Sequence, residues 1–131
     1  MKIIDVQTEG RSSLIDITGL VNEEVRKAGV DKGICYIFIP HTTAGVTINE
    51  AADPDVRKDL GTVLEKLVPW NDSYRHLKGN SAAHVKATLT GSSEMVLIHQ
   101  GRLALGTWQG IFFCEFDGPR NRQIWVKVVP G

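Results

Sequence analysis

Cysteine is almost absent from this chain. Its two copies, Cys35 and Cys114, each lie inside an apolar, strand-like run. So placed, they read as buried, reduced thiols rather than as a bridge or a metal pair. An excess of one charge is absent too, because fifteen basic residues meet fifteen acidic ones. That balance argues against a general nucleic-acid binder, which carries a basic excess. No apolar run reaches the ~20 residues of a membrane span. Met1-Lys2 leads straight into a strand pattern, without the apolar stretch of a signal peptide, so a cytoplasmic protein is expected. Repeats, low-complexity tracts and linkers are missing as well. The 131 residues suit one domain with a real core.

The first part of the chain reads as scaffold. Residues 3–8 alternate as a strand, 9–13 as a turn, and 14–17 as a returning strand. Thr18 suits the N-cap of a helix over about residues 20–28, with Val21 and Val25 on its buried face and Gly29 just past its end. Residues 34–39 (Ile-Cys-Tyr-Ile-Phe-Ile) are apolar on both parities. A strand of that kind is covered on both faces, by helices or by another subunit. Asp53-Pro54 then starts a helix, aspartate as cap and proline in the first turn. Val56, Leu60, Val63, Leu64 and Leu67 form its apolar stripe, which ends before Pro69.

Chemistry concentrates where these elements end. Between residues 41 and 53 the sequence packs His41, Thr42, Thr43, Thr47, Asn49, Glu50 and Asp53. Asp53 is explained by capping, whereas Glu50 is not. A second cluster holds His76, Asn80, Ser81 and His84 around the start of a short helix. Asn80 or Ser81 can cap that helix, and its free N–H groups suit a phosphate or sulfate. His41, His76 and His84 are three imidazoles at the edges of regular elements. Three histidines with an open fourth position can hold a catalytic metal, although this spacing is not diagnostic and no H-E-x-x-H occurs. His99 reads as a surface residue. Residues 106–116 read as one long strand whose glycines mark a bulge or close backbone approach. Within it Glu115 shares the parity of Ile111 and Phe113, so it requires a partner, with Arg120 and Arg122 at hand. Arg102 or Arg120 could instead hold a phosphate.

These blocks carry a resemblance. Residues 41–50 (HTTAGVTINE), 53–56 (DPDV), 79–84 (GNSAAH), 101–109 (GRLALGTWQ) and 115–120 (EFDGPR) resemble, in the same order, the motifs of the YjbQ family of secondary thiamine-phosphate synthase-like proteins. Gly45, Val46 and Cys114 depart from the pattern without touching its polar positions. The resemblance implies a single α+β domain with three helices and antiparallel or mixed sheets. It further implies assembly as a trimer, with sites in clefts near subunit boundaries. His41, Glu50, His76, Asn80, His84, Arg102, Gln109 and Arg120 match the family's polar positions.

The activity so implied joins a hydroxymethylpyrimidine diphosphate to a thiazole phosphate and releases pyrophosphate. The expected site takes His41, Glu50 and His84 as catalytic groups. Thr42, Thr43, Asn49, Asn80, Ser81, Arg102, Gln109 and Arg120 would bind the substrate. A divalent ion, zinc or magnesium, would sit at His41, His76 and His84. The expected partners are a small phosphorylated substrate and further copies of the chain. Two alternatives stay open: metal-dependent hydrolysis of a small phosphorylated or acyl substrate with Glu50 as base, and a ligand-binding trimer without turnover.

Overall fold

The computed structural model describes residues 1–131. The elements run β1 (Lys2–Gln7), β2 (Ser13–Asp16), α1 (Thr18–Ala28), β3 (Gly33–Phe38), β4 (Ala44–Glu50), α2 (Pro54–Leu67), α3 (Ser81–Thr90), β5 (Ser93–His99), β6 (Arg102–Leu103), β7 (Gln109–Glu115) and β8 (Asn121–Pro130). A five-stranded sheet has the order β1-β8-β3-β5-β6, and a three-stranded sheet the order β2-β7-β4. All the pairings are antiparallel. This is the expected α+β architecture with three helices.

The core lies between the sheets. Cys35, Ile37, Val96, Ile98, Ile124 and Val126 of the larger sheet meet Val46, Ile111 and Phe113 of the smaller one, and Val21 and Val25 of α1 join them. Each such side chain contributes about 1.5–3 kcal/mol by leaving water. β7 is buried on both faces. Its Ile111 and Phe113 enter this core, while Cys114 and the following Phe116 pack with Ala83 and Ala87 of α3 and Leu64 of α2. The thiols are free and buried, and burial pushes Cys35 up to about 11 and Cys114 up to about 12.

Several local expectations change. β2 does not return along β1. It pairs with β7 while β1 pairs with β8, so the turn between them carries the chain from one sheet to the other. Thr18 opens α1 instead of capping it. Asp16 Oδ1 accepts the Thr18 N–H at 2.9 Å, and the Thr18 hydroxyl accepts from the Ile111 N–H at 2.8 Å. The long strand shortens to residues 109–115, because Gly106 closes a turn in which its carbonyl accepts the Gln109 N–H. Asp53 does cap α2, accepting the Asp55 N–H at 2.9 Å, and Gly29 closes α1 in the left-handed region at φ 66°.

Two apolar faces stay open in the single chain. No residue of α2 is buried, and Val63 and Leu67 are exposed. The outer face of the larger sheet shows Tyr36, Phe38, Met95 and Leu97. The strand that is apolar on both parities therefore has one face in the core and one uncovered. No helix is long and apolar enough to cross a membrane, which says nothing of strands.

Candidate functional site

Three chain segments converge on one cleft. The first links β3 to β4 and carries His41, Thr42 and Thr43. The second runs from His76 into α3 and carries Asn80 and His84. The third is the β7–β8 turn with Asp117 and Arg120, followed by Arg122 at the start of β8. The cleft has a volume of ≈ 520 Å³, and apart from Pro40 every residue lining it is polar or charged. His41, Thr42 and His84 also border an adjoining cavity of ≈ 420 Å³. Close packing sets this arrangement. A Cβ on Gly45 would lie 2.3 Å from Thr90 Oγ1 and 2.5 Å from the Gly91 carbonyl, so only glycine lets the end of α3 press on β4.

Beneath the cleft lies a closed polar network. Glu115 and Arg122 form a buried ion pair. Thr8 donates its hydroxyl to Glu115 Oε1 at 2.6 Å, and the Phe116 and Asp117 N–H groups donate to Oε2 at 3.0 and 3.1 Å. Arg122 Nη2 reaches on to Thr43 Oγ1 at 2.8 Å. Burial alone would push the Glu115 carboxyl up, but the bonds from Arg122, Thr8 and the Asp117 N–H outweigh it and hold the group below the usual range. The carboxylate flagged by the sequence as needing a partner thus anchors the turn that forms one wall of the cleft.

His41 Nε2 accepts the Gln123 backbone N–H at 2.9 Å. That bond assigns the proton to Nδ1 and leaves His41 a neutral donor. Burial, with the charge of Arg122, pushes its pKa below the ordinary histidine value. His76 and His84 stand edge to face, ring centroids 5.7 Å apart. The three imidazoles share the cleft, yet no three His, Cys, Asp or Glu side chains are grouped so as to hold one metal ion. With Nε2 engaged, His41 does not fit a three-histidine metal set in this arrangement.

Asn80 occupies the N-cap position of α3 but does not cap it by side chain. Its Nδ2 donates instead to Asp117 Oδ2 at 2.9 Å, and Arg120 Nη2 donates to the same oxygen at 3.0 Å. The Ala83 N–H donates to the Asn80 carbonyl at 3.0 Å, but no side chain caps the Ser81 and Ala82 N–H groups, and Asn80 Oδ1 is buried with no donor. An anion and a hydrogen-bond donor would each be complemented there.

Of the residues the sequence singled out, His41, Thr42, Thr43, His76, Asn80, His84 and Arg120 come together in this cleft. Ser81 begins α3 beside it without lining it. The other four stand apart. β4 and β7 pair from Ala44↔Glu115 at the cleft to Glu50↔Gln109 at the far end. Six strand steps put Glu50 roughly 20 Å from Ala44. There the Glu50 carboxylate accepts the Ala52 N–H at 2.8 Å, Asn49 Oδ1 accepts the Glu50 N–H at 2.7 Å, and Gln109 Oε1 accepts the Gly106 N–H at 2.8 Å. Arg102 lies exposed on β6, at the edge of the other sheet. Lys78, Asp117 and Arg122 line the cleft without having been singled out as site residues. Glu115 was the signal for Arg122, since a buried carboxylate requires a buried cation. Lys78 had no signal beyond its place between His76 and Asn80.

The fold and cleft define a class: a two-sheet antiparallel α+β protein with a histidine- and arginine-lined site at the turns of both sheets. The chain belongs to the UPF0047 YjbQ-like family, whose model matches residues 2–131. It is 47% identical to UPF0047 protein YugU of Bacillus subtilis over 98% of both chains. It is 48% identical to UPF0047 protein MJ1081 of Methanocaldococcus jannaschii over 95% of this chain and 90% of that one. Among solved structures, an uncharacterized conserved YjbQ/UPF0047 protein of Clostridium acetobutylicum matches with TM-score 0.97 and 50% identity, covering 98% of this chain and 100% of that one. A conserved hypothetical protein of Thermus thermophilus matches with TM-score 0.92 and 42% identity over 98% and 100%.

Proposed function

We propose that the cleft binds a small phosphorylated substrate and that the chain is an enzyme transferring a group away from a diphosphate. One observation carries this reading: cationic and neutral donors converge on a cleft lined by no hydrophobic side chain apart from Pro40, beside a helix start that no side chain caps. The form we propose is the one the resemblance implied, joining a hydroxymethylpyrimidine diphosphate to a thiazole phosphate. The carbon–oxygen bond to the diphosphate breaks and a carbon–nitrogen bond to the thiazole forms. Pyrophosphate leaves with the bonding pair, and the thiazole nitrogen takes up the positive charge. Arg120, Lys78 and the first-turn N–H groups of α3 would receive the growing negative charge on the leaving group. His41, a neutral donor, would add a hydrogen bond, and His84 would donate a proton to the departing oxygen. The test supplies both phosphorylated partners and follows pyrophosphate and thiamine phosphate together. Equal yields of the two support the reading. Pyrophosphate alone would indicate hydrolysis, and saturable binding without either product would indicate a ligand-binding module.

The hydrolytic alternative draws on the edge-to-face His76–His84 pair, which could contribute ligands to a divalent ion. It requires a further ligand beyond the present arrangement. Zinc binding lost in His76→Ala and His84→Ala, with hydrolysis lost alongside, would favour it. A cytoplasmic setting is part of the proposal and agrees with the free thiols of Cys35 and Cys114.

We further propose that the chain works as a homotrimer. The uncovered sheet face supports this, since Tyr36 pairs with Met95 and Phe38 with Trp125 across adjacent strands, which makes the patch continuous. Wild type is expected to sediment at three chain masses. Leu97→Glu, which puts a carboxylate on the patch, is expected to shift it to the monomer. A wild-type monomer at micromolar concentration would remove the trimer.

A further inference from the structure

A second cavity, of ≈ 530 Å³, opens between β2, α2 and α3 and shares no lining residue with the histidine cleft. Its lining includes Ser13, Arg57, Glu65, Lys86 and Phe116. Lys86 is 0% exposed, an extreme position for a lysine. Its ammonium pairs with Glu65 Oε1, which also accepts from Ser12 Oγ at 3.1 Å. Arg57 has no such partner. Its guanidinium lies 4.8 Å from the centre of the Phe112 ring, and its Nε is buried without a hydrogen bond. The buried Ser13 hydroxyl is also unpaired. Orphaned donors of this kind cost stability unless something answers them, and a guanidinium is best answered by an oxyanion.

Charge decides which oxyanion. Three cations line the cavity, Arg57, Lys58 and Lys86, against the single carboxylate of Glu65. The unmatched charge suits a dianion better than a monoanion. Leu14, Leu64 and Phe116 supply an apolar side to the same space. We propose that this cavity is a second ligand site, taking a phosphate monoester with a small apolar body. The phosphate would face Arg57, Lys86 and Ser13, and the body would rest on Phe116 and Leu64. This site is independent of the reaction proposed for the histidine cleft and does not rest on it.

Phenyl phosphate is the probe, titrated calorimetrically into the intact protein. Binding at the second cavity should weaken about tenfold or more in Arg57→Met, which keeps an unbranched apolar side chain but removes the charged donors. The melting temperature of that variant reports whether its fold survives, and Ser13→Ala provides a milder second variant. His84→Ala and Arg120→Ala should leave this binding unchanged. No binding by wild type would overturn the proposal. So would binding lost in Arg120→Ala but kept in Arg57→Met, or benzoate binding more tightly than phenyl phosphate. Dissociation of the oligomer in Arg57→Met, with no phenyl phosphate bound by wild type, would assign the missing anion to a second copy of the chain instead.

Discussion

Glu115→Leu is expected to destabilise the protein by about 3–5 kcal/mol, the cost of leaving a buried cation without its partner. For a chain of this length that corresponds to a fall in melting temperature of roughly 10–20 °C. The carboxylate is 0% exposed and takes bonds from Arg122, Thr8 and two backbone N–H groups, so a neutral apolar side chain removes every one of those bonds and leaves the Arg122 charge buried without a counter-ion. The double variant Glu115→Leu with Arg122→Met should recover much of the loss, because no buried charge then remains. A single variant that melts like wild type would show that the network contributes no net stability.

The same pair sets an acid limit. The Glu115 carboxyl is held below its ordinary value in the folded chain. The unfolded chain therefore takes up its proton first as pH falls. The pair's contribution is complete above the ordinary carboxylate range and disappears as pH drops through the lower folded value. His41 acts in the same direction at a higher pH. Its folded pKa lies below that of an ordinary histidine, so stability falls somewhat as the pH drops below about 6.5. In Glu115→Leu the carboxylate part of the acid dependence should vanish and the histidine part persist.

Local signals in the sequence read well wherever one residue decided the outcome. Asp53-Pro54 set the start of α2 and Gly29 the end of α1, through backbone preferences that need no distant partner. The parity of Glu115 announced a buried ion pair. The pairing of strands was less legible. β2 carries a strand pattern that does not say which neighbour it will take, and it crosses to the other sheet. The cleft was half legible for a related reason. His41, His76 and His84 lie on loops and a helix whose convergence depends on the packing of α3 against β4. Glu50 and Gln109 share a strand pair with that cleft but sit at its opposite end, which only the register reveals.

That separation leads to the sharpest kinetic expectation. His84→Ala should lower turnover by about 10²–10⁴-fold, the usual contribution of a positioned proton donor. His41→Ala should cost less, about 10–100-fold, as befits one hydrogen bond to a charged group. Glu50→Gln discriminates between two pictures. If one chain holds the whole site, a carboxylate roughly 20 Å along β4 has no access to the reacting atoms, and the variant should turn over like wild type. If the trimer builds the site across a boundary, Glu50 of one subunit reaches the cleft of its neighbour, and the variant should be inactive. In that second case, inactive His84→Ala and Glu50→Gln chains, mixed equally and reassembled, should regain about one quarter of wild-type activity. Half of the clefts then carry His84, and half of their neighbours carry Glu50. Activity lost in both variants and never regained on mixing would place the two groups in the same subunit's site. The extended pairing of β4 with β7 forbids that geometry, so either the strand register or the assignment of Glu50 would have to be abandoned.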